Sequence, residues 1–332
     1  MHEGARLLTR SDVERLLDVN SCINAVGNAF RMRGEGHPSP SGVLGVHVSG
    51  GGFHAKAAYL ELSRPYFVVK VNANFPGNPV QHALPTIQGV LVLFDASNGV
   101  PLAVMDSMAI TTLRTAAASA VAARHCSRSD ARTATFVGCG VQGRAHVAAI
   151  AAIRQLERVH LFDVDERKAD TLAAQLRAVY PFAISVASDL RAATRASDII
   201  VTSTSSTKAV LGLDHLSPGA FVAAVGADNE HKQEMDVALF RESAVIVDDL
   251  EQCAAIGDLH HAIAAGVVTR KDVRATLAEV VAGTKPGRHH DDDVIIFDST
   301  GGSDRGCRGG GSGVRERDPV RLRAADFSGE LS

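Results

Sequence analysis

A glycine-rich turn at residues 138–143 is the first part of the sequence whose residue types suggest chemistry. The turn reads Gly-Cys-Gly-Val-Gln-Gly, and it lies between an apolar run and an alanine-rich run. In a strand–turn–helix unit of this kind, the first glycine makes a tight turn, the second admits a pyrophosphate, and the third allows close packing. Free N–H groups at the start of the helix attract the phosphates. Five residues are therefore predicted to bind a dinucleotide: Gly138, Gly140, Val141, Gln142 and Gly143.

An acidic residue beyond this turn specifies the type of dinucleotide. Asp163 ends the apolar run 159–163, twenty residues after Gly143. A carboxylate at this place accepts hydrogen bonds from ribose hydroxyls and repels a 2′-phosphate, so we predict NAD as the cofactor and regard NADP as less favoured. The alternative is a glycine turn in another kind of α/β domain, in which Asp163 only caps the following helix.

Two basic residues in the N-terminal part have the chemistry to bind a carboxylate. Lys70 lies in a strand-like run, and Arg114 lies beside small residues in an alanine-rich helical run. An arginine on an apolar helix needs an anionic partner, and its planar guanidinium binds a carboxylate through two parallel hydrogen bonds. The alternatives are a solvated strand lysine and an ion pair between domains.

A carboxylate after a predicted strand is the candidate for proton transfer. Asp228 follows the apolar run 221–225, and ligands of parallel sheets bind at the carboxyl ends of the strands. In that place it would act as a general base or bind an amino group; the alternative is the N-cap of a helix that begins near His231. Three further residues are predicted to line the cofactor pocket: Thr202, Thr204 and Val225.

The elements that must hold these residues follow two different patterns. Residues 42–107 alternate short β-branched or aromatic runs with Gly, Pro and Asn, which predicts a mixed or antiparallel sheet. From residue 131 onward, apolar strands alternate with helices, which predicts a Rossmann-type, doubly wound parallel sheet. The predicted strands are 43–48, 66–72, 90–95, 133–137, 159–162, 184–186, 199–202, 221–225 and 244–247. The predicted helices are 8–32, 109–126, 166–179, 189–196 and 232–240.

The composition excludes several classes of protein. The 332 residues include 34 Lys and Arg against 37 Asp and Glu, so no basic excess indicates nucleic-acid binding. No apolar run is long enough to predict a membrane span. The five cysteines are scattered without CxxC spacing, which predicts a reduced, cytoplasmic protein without a zinc site. The His and Asp run at 289–293 is interpreted as a solvated loop, so no metal site is predicted.

Further motifs match one known family in the same order along the chain. They are the runs 70–78, 84–95, 101–106, 113–119, 224–228 and 295–301. Together with the glycine turn, they make the chain similar to the ornithine cyclodeaminase/μ-crystallin family over residues 5–301. The resemblance implies an NAD-dependent homodimer with chemistry at the Cα atom of a small amino acid or a cyclic imine.

The resemblance also implies roles and domains. Lys70 and Arg114 would hold the substrate carboxylate, Thr86 would lie on the substrate side, and Asp228 would be the key acid. The Rossmann-type NAD-binding domain is predicted at 116–296. A mixed α+β domain for substrate binding and dimerisation is predicted at 1–115, together with 297–301.

The reaction implied by the resemblance is hydride transfer from Cα followed by deamination and cyclisation. Lys56 departs from this pattern, because it stands where an ornithine-specific member would carry an acid, and it would repel a second ammonium group. We therefore predict that Lys56 binds the carboxylate. Two alternatives remain: a ketimine or pyrroline-2-carboxylate reductase or L-amino-acid dehydrogenase, and a non-catalytic dinucleotide-binding protein similar to μ-crystallin.

The tail at residues 302–332 departs further from the family pattern. Residues 301–313 include seven glycines, and six arginines fall between Arg305 and Arg323. A shifted reading frame in a GC-rich gene gives sequence of this kind. We hypothesise a frameshift near residues 301–302 and a disordered tail at 302–332, which resequencing of the gene would test.

Overall fold

The computed structural model describes residues 4–37 and 41–301. They form two compact units: the first comprises the described residues up to Ala29 and from Gly36 to Arg114, and the second comprises Phe30–Glu35 and the described residues from Thr115 onward. The tail at 302–332, with the frameshift hypothesised there, lies outside the described residues.

The first unit is built on a six-stranded sheet. Its strands are β1 (Arg6–Leu8), β2 (Ser41–Val48), β3 (Gly51–Glu61), β4 (Pro65–Asn74), β5 (Ile87–Asp95) and β6 (Pro101–Asp106). Its helices are α1 (Arg10–Leu16), most of α2 (Val19–Gly34), α3 (Asn78–Gln81) and the start of α4 (Ser107–Cys126). In the order β1-β6-β5-β4-β3-β2, β1 pairs with β6 in parallel and the remaining pairs are antiparallel. The predicted mixed sheet is confirmed.

Both faces of this sheet are apolar. The strand register directs Val68, Leu91 and Met105 to one face, where all three are buried. The opposite face carries Val46 and Phe53, which are 47% and 42% exposed. A sheet with two apolar faces is stable in water only when both faces are covered.

The single helix predicted at 8–32 is two helices in the structure. Thr9 caps α1 and exchanges hydrogen bonds with Asp12, so the capping box begins at Thr9 rather than at Ser11. The chain then leaves the helical conformation, and Asp18 accepts the backbone N–H of Ser21 at 2.9 Å near the start of α2. The break follows because an aspartate side chain competes with the backbone for helical N–H groups.

The second unit is built on an eight-stranded sheet. Its strands are β7 (Thr133–Val137), β8 (Arg158–Phe162), β9 (Ala183–Val186), β10 (Ile199–Thr202), β12 (Phe221–Ala224), β14 (Ala244–Val247), β15 (Ala275–Thr276) and β16 (Ile295–Asp298). Two short strands, β11 (Thr207–Leu211) and β13 (Gln233–Met235), pair separately. The order of the large sheet is β15-β14-β16-β12-β10-β7-β8-β9, with parallel pairing throughout. This confirms the predicted Rossmann-type sheet.

Helices connect these parallel strands. They are α5 (Val141–Ala151), α6 (Glu166–Arg177), α7 (Leu190–Arg195), α8 (Leu239–Glu242), α9 (Leu250–Ile256), α10 (Asp258–Ala264) and α11 (Leu277–Val281), with short 3₁₀ turns at Leu213–His215 and Arg270–Asp272. Every residue of β7, β10, β12 and β16 is buried, which explains why most of their residues are apolar. Among the described helices, none has the length and apolarity needed to cross a membrane.

Two expectations for the second unit were wrong. The helix predicted at 232–240 is strand β13 followed by the short helix α8, because Met235 is buried in a strand paired with β11. Residues 297–301, predicted to belong with the first domain, lie in the second unit, since β16 runs between β12 and β14. The other predicted domain boundaries stay predictions.

The last turn of α2 belongs to the second unit. Arg33 forms an ion pair with Asp249, whose oxygen lies 2.7 Å from the guanidinium nitrogen. At Gly34, a Cβ atom would overlap the carbonyl oxygen of Ala278. The close packing therefore requires glycine at this position.

Candidate functional site

The glycine turn joins β7 to α5. Gly138 has a positive φ of 96°, and a Cβ atom there would lie 2.7 Å from the Ser203 carbonyl oxygen. A Cβ atom on Gly143 would overlap the Gly138 carbonyl oxygen. At Gly140, the N-cap of α5, no atom lies within 4 Å of the Cβ position. Two glycines thus permit close packing, and the third leaves open space at the start of the helix, where a phosphate would bind.

Asp163 fixes this turn from the end of β8. Its Oδ2 accepts the backbone N–H of Cys139 at 2.8 Å, and its Oδ1 accepts the N–H of Asp165 at 2.9 Å. The N-cap of α6 is Asp165, whose side chain accepts the N–H of Arg167. Arg167 is exposed and its side chain pairs with Asp165. Asp163 is therefore not a helix cap, and its remaining lone pairs are available for ribose hydroxyls.

The first turn of α5 is anchored by a buried histidine. His146 Nδ1 lies 2.8 Å from the Gln142 carbonyl oxygen, and its Nε2 lies 3.0 Å from Ser119 Oγ. A carbonyl only accepts, so Nδ1 carries the proton and Nε2 accepts from the serine hydroxyl. Burial lowers the pKa of His146 to about 4, which keeps the ring neutral.

Both ring nitrogens of His146 have hydrogen-bond partners, but the side-chain Oε1 of Gln142 is buried without one. The neighbouring Val141 is largely exposed. Burial raises the pKa of the Cys139 thiol to about 12, so this cysteine is protonated and is not a nucleophile.

The ends of β10 and β12 are joined by an acid that the sequence analysis did not single out. Glu234, on β13, is fully buried. Its Oε2 accepts the Thr202 hydroxyl at 2.7 Å, and its Oε1 accepts the Thr204 N–H at 2.6 Å. The Thr202 hydroxyl is thus committed to Glu234, whereas Thr204 and Val225 are only half-buried. No sequence signal marked Glu234, since it lay inside the wrongly predicted helix.

Asp228 lies in the loop after β12, and its side chain is 54% exposed. Its Oδ1 lies 2.9 Å from Lys232 Nζ and accepts a hydrogen bond from Asn229 Nδ2 at 3.1 Å. The next regular element is strand β13, so Asp228 does not cap a helix. An exposed carboxylate held in one orientation by two neighbours is suited to proton transfer.

The first unit places two lysines side by side. Lys56 on β3 is directly opposite Lys70 on β4, and residues in that register project from the same face. Lys70 is buried and Lys56 is half-buried. Two residues along the same strand, Asn72 Oδ1 accepts the Ser107 hydroxyl at 2.7 Å, which ties the start of α4 to β4. A carboxylate between the two lysines would be attracted by both.

Arg114 lies two turns beyond Ser107 on α4, so the two residues share a helix face. Its Nε is buried without a hydrogen-bond partner, as is the Oγ1 of Thr111 one turn earlier. An unsatisfied buried donor costs about 1–3 kcal/mol, which a ligand oxygen would recover. Thr86 is half-buried at the start of β5, and its carbonyl accepts the Phe75 N–H at 2.8 Å.

Within the described ranges, no group of three or more His, Cys, Asp or Glu residues is arranged to hold a metal ion. The run 289–293 is held by the side chain of Asp293. Its Oδ2 accepts the His289 N–H at 3.0 Å and forms an ion pair with Arg274. Burial acts to raise the pKa of Asp293, but Arg274 and the backbone hydrogen bonds together outweigh it and lower the pKa to about 2.

Comparisons with known proteins agree with this geometry. The family model for the ornithine cyclodeaminase/mu-crystallin family matches residues 4–303. The alanine dehydrogenase of Archaeoglobus fulgidus is 34% identical over 297 residues, which are 89% of this chain and 89% of that protein.

Solved structures are similar over nearly the whole chain. An archaeal alanine dehydrogenase dimer with bound NAD has a TM-score of 0.84 at 34% identity, covering 90% of this chain and 91% of that one. The Δ1-pyrroline-2-carboxylate reductase of Thermococcus litoralis, in complex with NADH and L-proline, has a TM-score of 0.84 at 30% identity, covering 89% and 92%.

Proposed function

This chain belongs to the ornithine cyclodeaminase/mu-crystallin family, and we propose that it is an NAD-dependent enzyme that acts by hydride transfer at the Cα atom of a small L-amino acid or its imine. The observation that carries the proposal is the glycine turn, with open space at Gly140 and Asp163 bound to the Cys139 N–H. The names of the relatives, an alanine dehydrogenase and a pyrroline-2-carboxylate reductase, support this class of substrate.

The second unit fits a dinucleotide at several points. The pyrophosphate would bind the N–H groups at the start of α5, above Gly140, and Asp163 would accept the ribose hydroxyls. Gln142 and Val141 lie on the same turn, and the unsatisfied Gln142 Oε1 is an acceptor for the cofactor. When bound, NAD supplies the acceptor for a hydride from Cα, and NADH supplies the donor for the reverse reaction.

Basic residues of the first unit would hold the substrate carboxylate. Lys56 and Lys70 are opposite each other in register, and Arg114 has a buried donor without an acceptor. A bidentate guanidinium–carboxylate pair would orient the Cα atom, and the lysines would add charge. Thr86 is proposed as a further residue on the substrate side.

Asp228 would handle the proton at the substrate nitrogen. In the oxidative direction, the amino nitrogen loses a proton to the carboxylate while Cα loses its hydride, and an imine results. In the reductive direction, Asp228 returns that proton to the nitrogen. Lys232 and Asn229 hold the carboxylate in place for either direction.

Net oxidation or reduction is the reaction class named for the two relatives, an alanine dehydrogenase and a pyrroline-2-carboxylate reductase. A lysine near a distal ammonium group, as ornithine carries, would also repel it, whereas it would not repel a neutral side chain. We therefore propose an L-amino-acid dehydrogenase or imine reductase. Cyclodeamination, which the family name favours, is the second candidate.

A homodimer is proposed from the apolar outer face of the six-stranded sheet. Val46 and Phe53 are exposed on this face, and Val90, two strands from Phe53 on the same face, is 48% exposed. A second copy of the same face would cover this surface, and an archaeal relative is described as a dimer. Val46→Asp should give monomers in analytical ultracentrifugation, and Val179→Asp, at an exposed apolar residue of the second unit, is the control. The cytoplasmic location stays a prediction.

One assay separates the candidate reactions. The purified protein is incubated with NAD and L-alanine, L-ornithine or L-lysine, and with NADH and a cyclic imine. A change in nicotinamide absorbance supports the dehydrogenase or reductase, and ammonia release without such a change supports cyclodeamination. NADH binding without any turnover would contradict the enzyme proposal and support the non-catalytic alternative.

A further inference from the structure

A buried acid connects the two loops that follow β10 and β12. Glu234 accepts the Thr204 N–H and the Thr202 hydroxyl from the first loop, and the Gly226 N–H, at 2.7 Å, from the second. A Cβ atom at Gly226 would overlap Glu234 Oε1, so glycine permits this close approach. Burial raises the pKa of Glu234, and the three donors on its two oxygens oppose this by stabilising the charged carboxylate.

The sheet order places these loops on one side of the glycine turn. Strand β7, which leads into the turn, lies between β8 and β10. Asp163 ends β8, so the adenosine of a dinucleotide would lie on that side and the nicotinamide would extend toward β10 and β12. The contacts of Glu234 therefore fix the loops on the nicotinamide side and leave the adenosine side untouched.

A second buried acid supports the backbone of Glu234. Asp258, at the start of α10, has an Oδ1 that accepts the Glu234 N–H at 2.7 Å and the Met235 N–H at 2.9 Å. Its Oδ2 is buried without a partner. Burial and the neighbouring Glu234 raise the pKa of Asp258 to about 7.

A third buried acid adjoins Asp258. Asp298, at the end of β16, has an Oδ2 that accepts the N–H of Leu259 at 2.9 Å, and its Oδ1 is buried without a partner. Burial and the charge of Asp258 raise the pKa of Asp298. In the described part of the chain, no ion pair involves Glu234, Asp258 or Asp298.

We propose that Glu234 is a positioning residue for the nicotinamide half of the cofactor, and that Asp258 and Asp298 share one proton between their two unpartnered oxygens. Two neighbouring carboxylates would repel each other in this dry site, and a single shared proton would neutralise one of the charges and give both unpartnered oxygens a partner. The shared proton holds the end of β16 to α10, and Asp258 thereby holds β13 and Glu234. The cofactor role of Glu234 rests on the proposed function, whereas the shared proton does not.

Amide substitutions test the shared proton without any ligand. In Asp258→Asn or Asp298→Asn, the new N–H₂ group replaces the protonated oxygen and donates to the remaining carboxylate. Each single variant should melt within about 2 °C of the wild-type protein. In the double variant, two N–H₂ groups face each other, and the melting temperature should fall by more than the sum of the single changes. Large losses in both single variants, or a double variant as stable as the singles, would overturn the proposal.

Ligand binding tests the positioning role of Glu234. In Glu234→Gln, an N–H₂ group must face either Thr204 N–H or Gly226 N–H, so the loops should separate. The affinity for NADH should fall about tenfold, whereas the affinity for ADP-ribose, which lacks the nicotinamide, should stay unchanged. Glu279→Gln, which changes a helix-capping acid of the same unit, is the matched control and should alter neither affinity.

The outcomes separate this inference from the proposed function. A wild-type protein that binds neither NADH nor ADP-ribose contradicts the proposed function, while the melting experiment still decides the shared proton. A wild-type protein that binds both, with a Glu234→Gln variant that loses both equally or neither, contradicts the positioning role. Recovery of NADH affinity in Glu234→Asp, relative to Glu234→Gln, would support the need for a charged group.

Discussion

The contacts around the glycine turn of the second unit and the residues at the start of α4 in the first differ in how far their polar atoms are satisfied without a ligand. Both oxygens of Asp163 and both nitrogens of His146 have partners. In contrast, Arg114 Nε and Thr111 Oγ1 are buried without partners. Apart from Gln142 Oε1, the proposed cofactor region therefore has its contacts in place without a ligand. Arg114 Nε and Thr111 Oγ1 would gain partners only from a bound ligand, and its binding would recover the free energy that these unsatisfied atoms cost.

The largest expected effect comes from removing the proposed proton carrier while both binding regions stay intact. Asp228→Asn should lower turnover about 1,000-fold, because a carboxamide cannot accept the proton. Steady-state kinetics and NADH titration measure the two effects, and NADH affinity should be unchanged. Near-full activity would remove Asp228 from the mechanism. Asp236→Asn, in a later loop of the same unit, is the control.

Arg114→Met tests the substrate side of the comparison. We expect kcat/KM for the amino acid to fall about 10- to 100-fold, because charge-assisted hydrogen bonds to the carboxylate are lost. The free protein should melt at the same or a higher temperature, since a buried unsatisfied donor is removed. A clear loss of stability would show that the arginine has a structural role in the free protein. Arg10→Met, at an exposed ion pair with Asp106, is the control.

Asp163→Ser tests the cofactor side. We expect about tenfold weaker NADH binding, with a relative gain for NADPH, since the repulsion of a 2′-phosphate is removed. Here the free protein should lose stability, because the Cys139 N–H loses its acceptor. Asp165→Ser is the matched control, since serine keeps the helix cap. Unchanged selectivity between NADH and NADPH would contradict the assignment of Asp163 to the ribose.

The smallest effect on activity is expected from the buried histidine, which changes the pH dependence of stability. The pKa of His146 is lowered from 6.5 to about 4, so its stabilising effect is complete above pH 6.5 and is lost as the pH falls toward 4. Wild type should lose about 3 kcal/mol over this range from this group. His146→Asn should show a smaller loss in urea denaturation at a series of pH values. Equal slopes would contradict the assigned neutral state.

The sequence was informative wherever the backbone conformation requires one particular type of residue. Gly138, Gly140 and Gly143 are each dictated by a turn, an open approach or a close contact, and Asp163 follows at a fixed spacing. The largely buried strands β7, β10 and β14 were predicted over their whole lengths, since no charged residue, glycine or proline interrupts them. The family motifs added the candidates Lys70 and Asp228, whose roles stay predictions.

The rest depends on contacts between distant residues. Asp258 and Asp298 adjoin in space but are forty positions apart, and neither has a local pattern that marks its neighbour. Strand β13 was taken for part of a helix because its polar and apolar residues also fit helical spacing. Strand β3 was not predicted, since glycine and alanine carry little β propensity.

The final turn of α2 has a consequence for the timing of synthesis. Arg33 and Gly34 complete their contacts only when Asp249 and Ala278 have been made, the latter 244 residues later. At a translation rate of about 5–20 residues per second, this turn waits roughly 12–50 s for its partners. The second unit thus packs against a turn of helix that is synthesised long before most of that unit. A ribosome that pauses after Gly34 and before Ala278 prolongs the time for which the end of α2 is exposed to solvent.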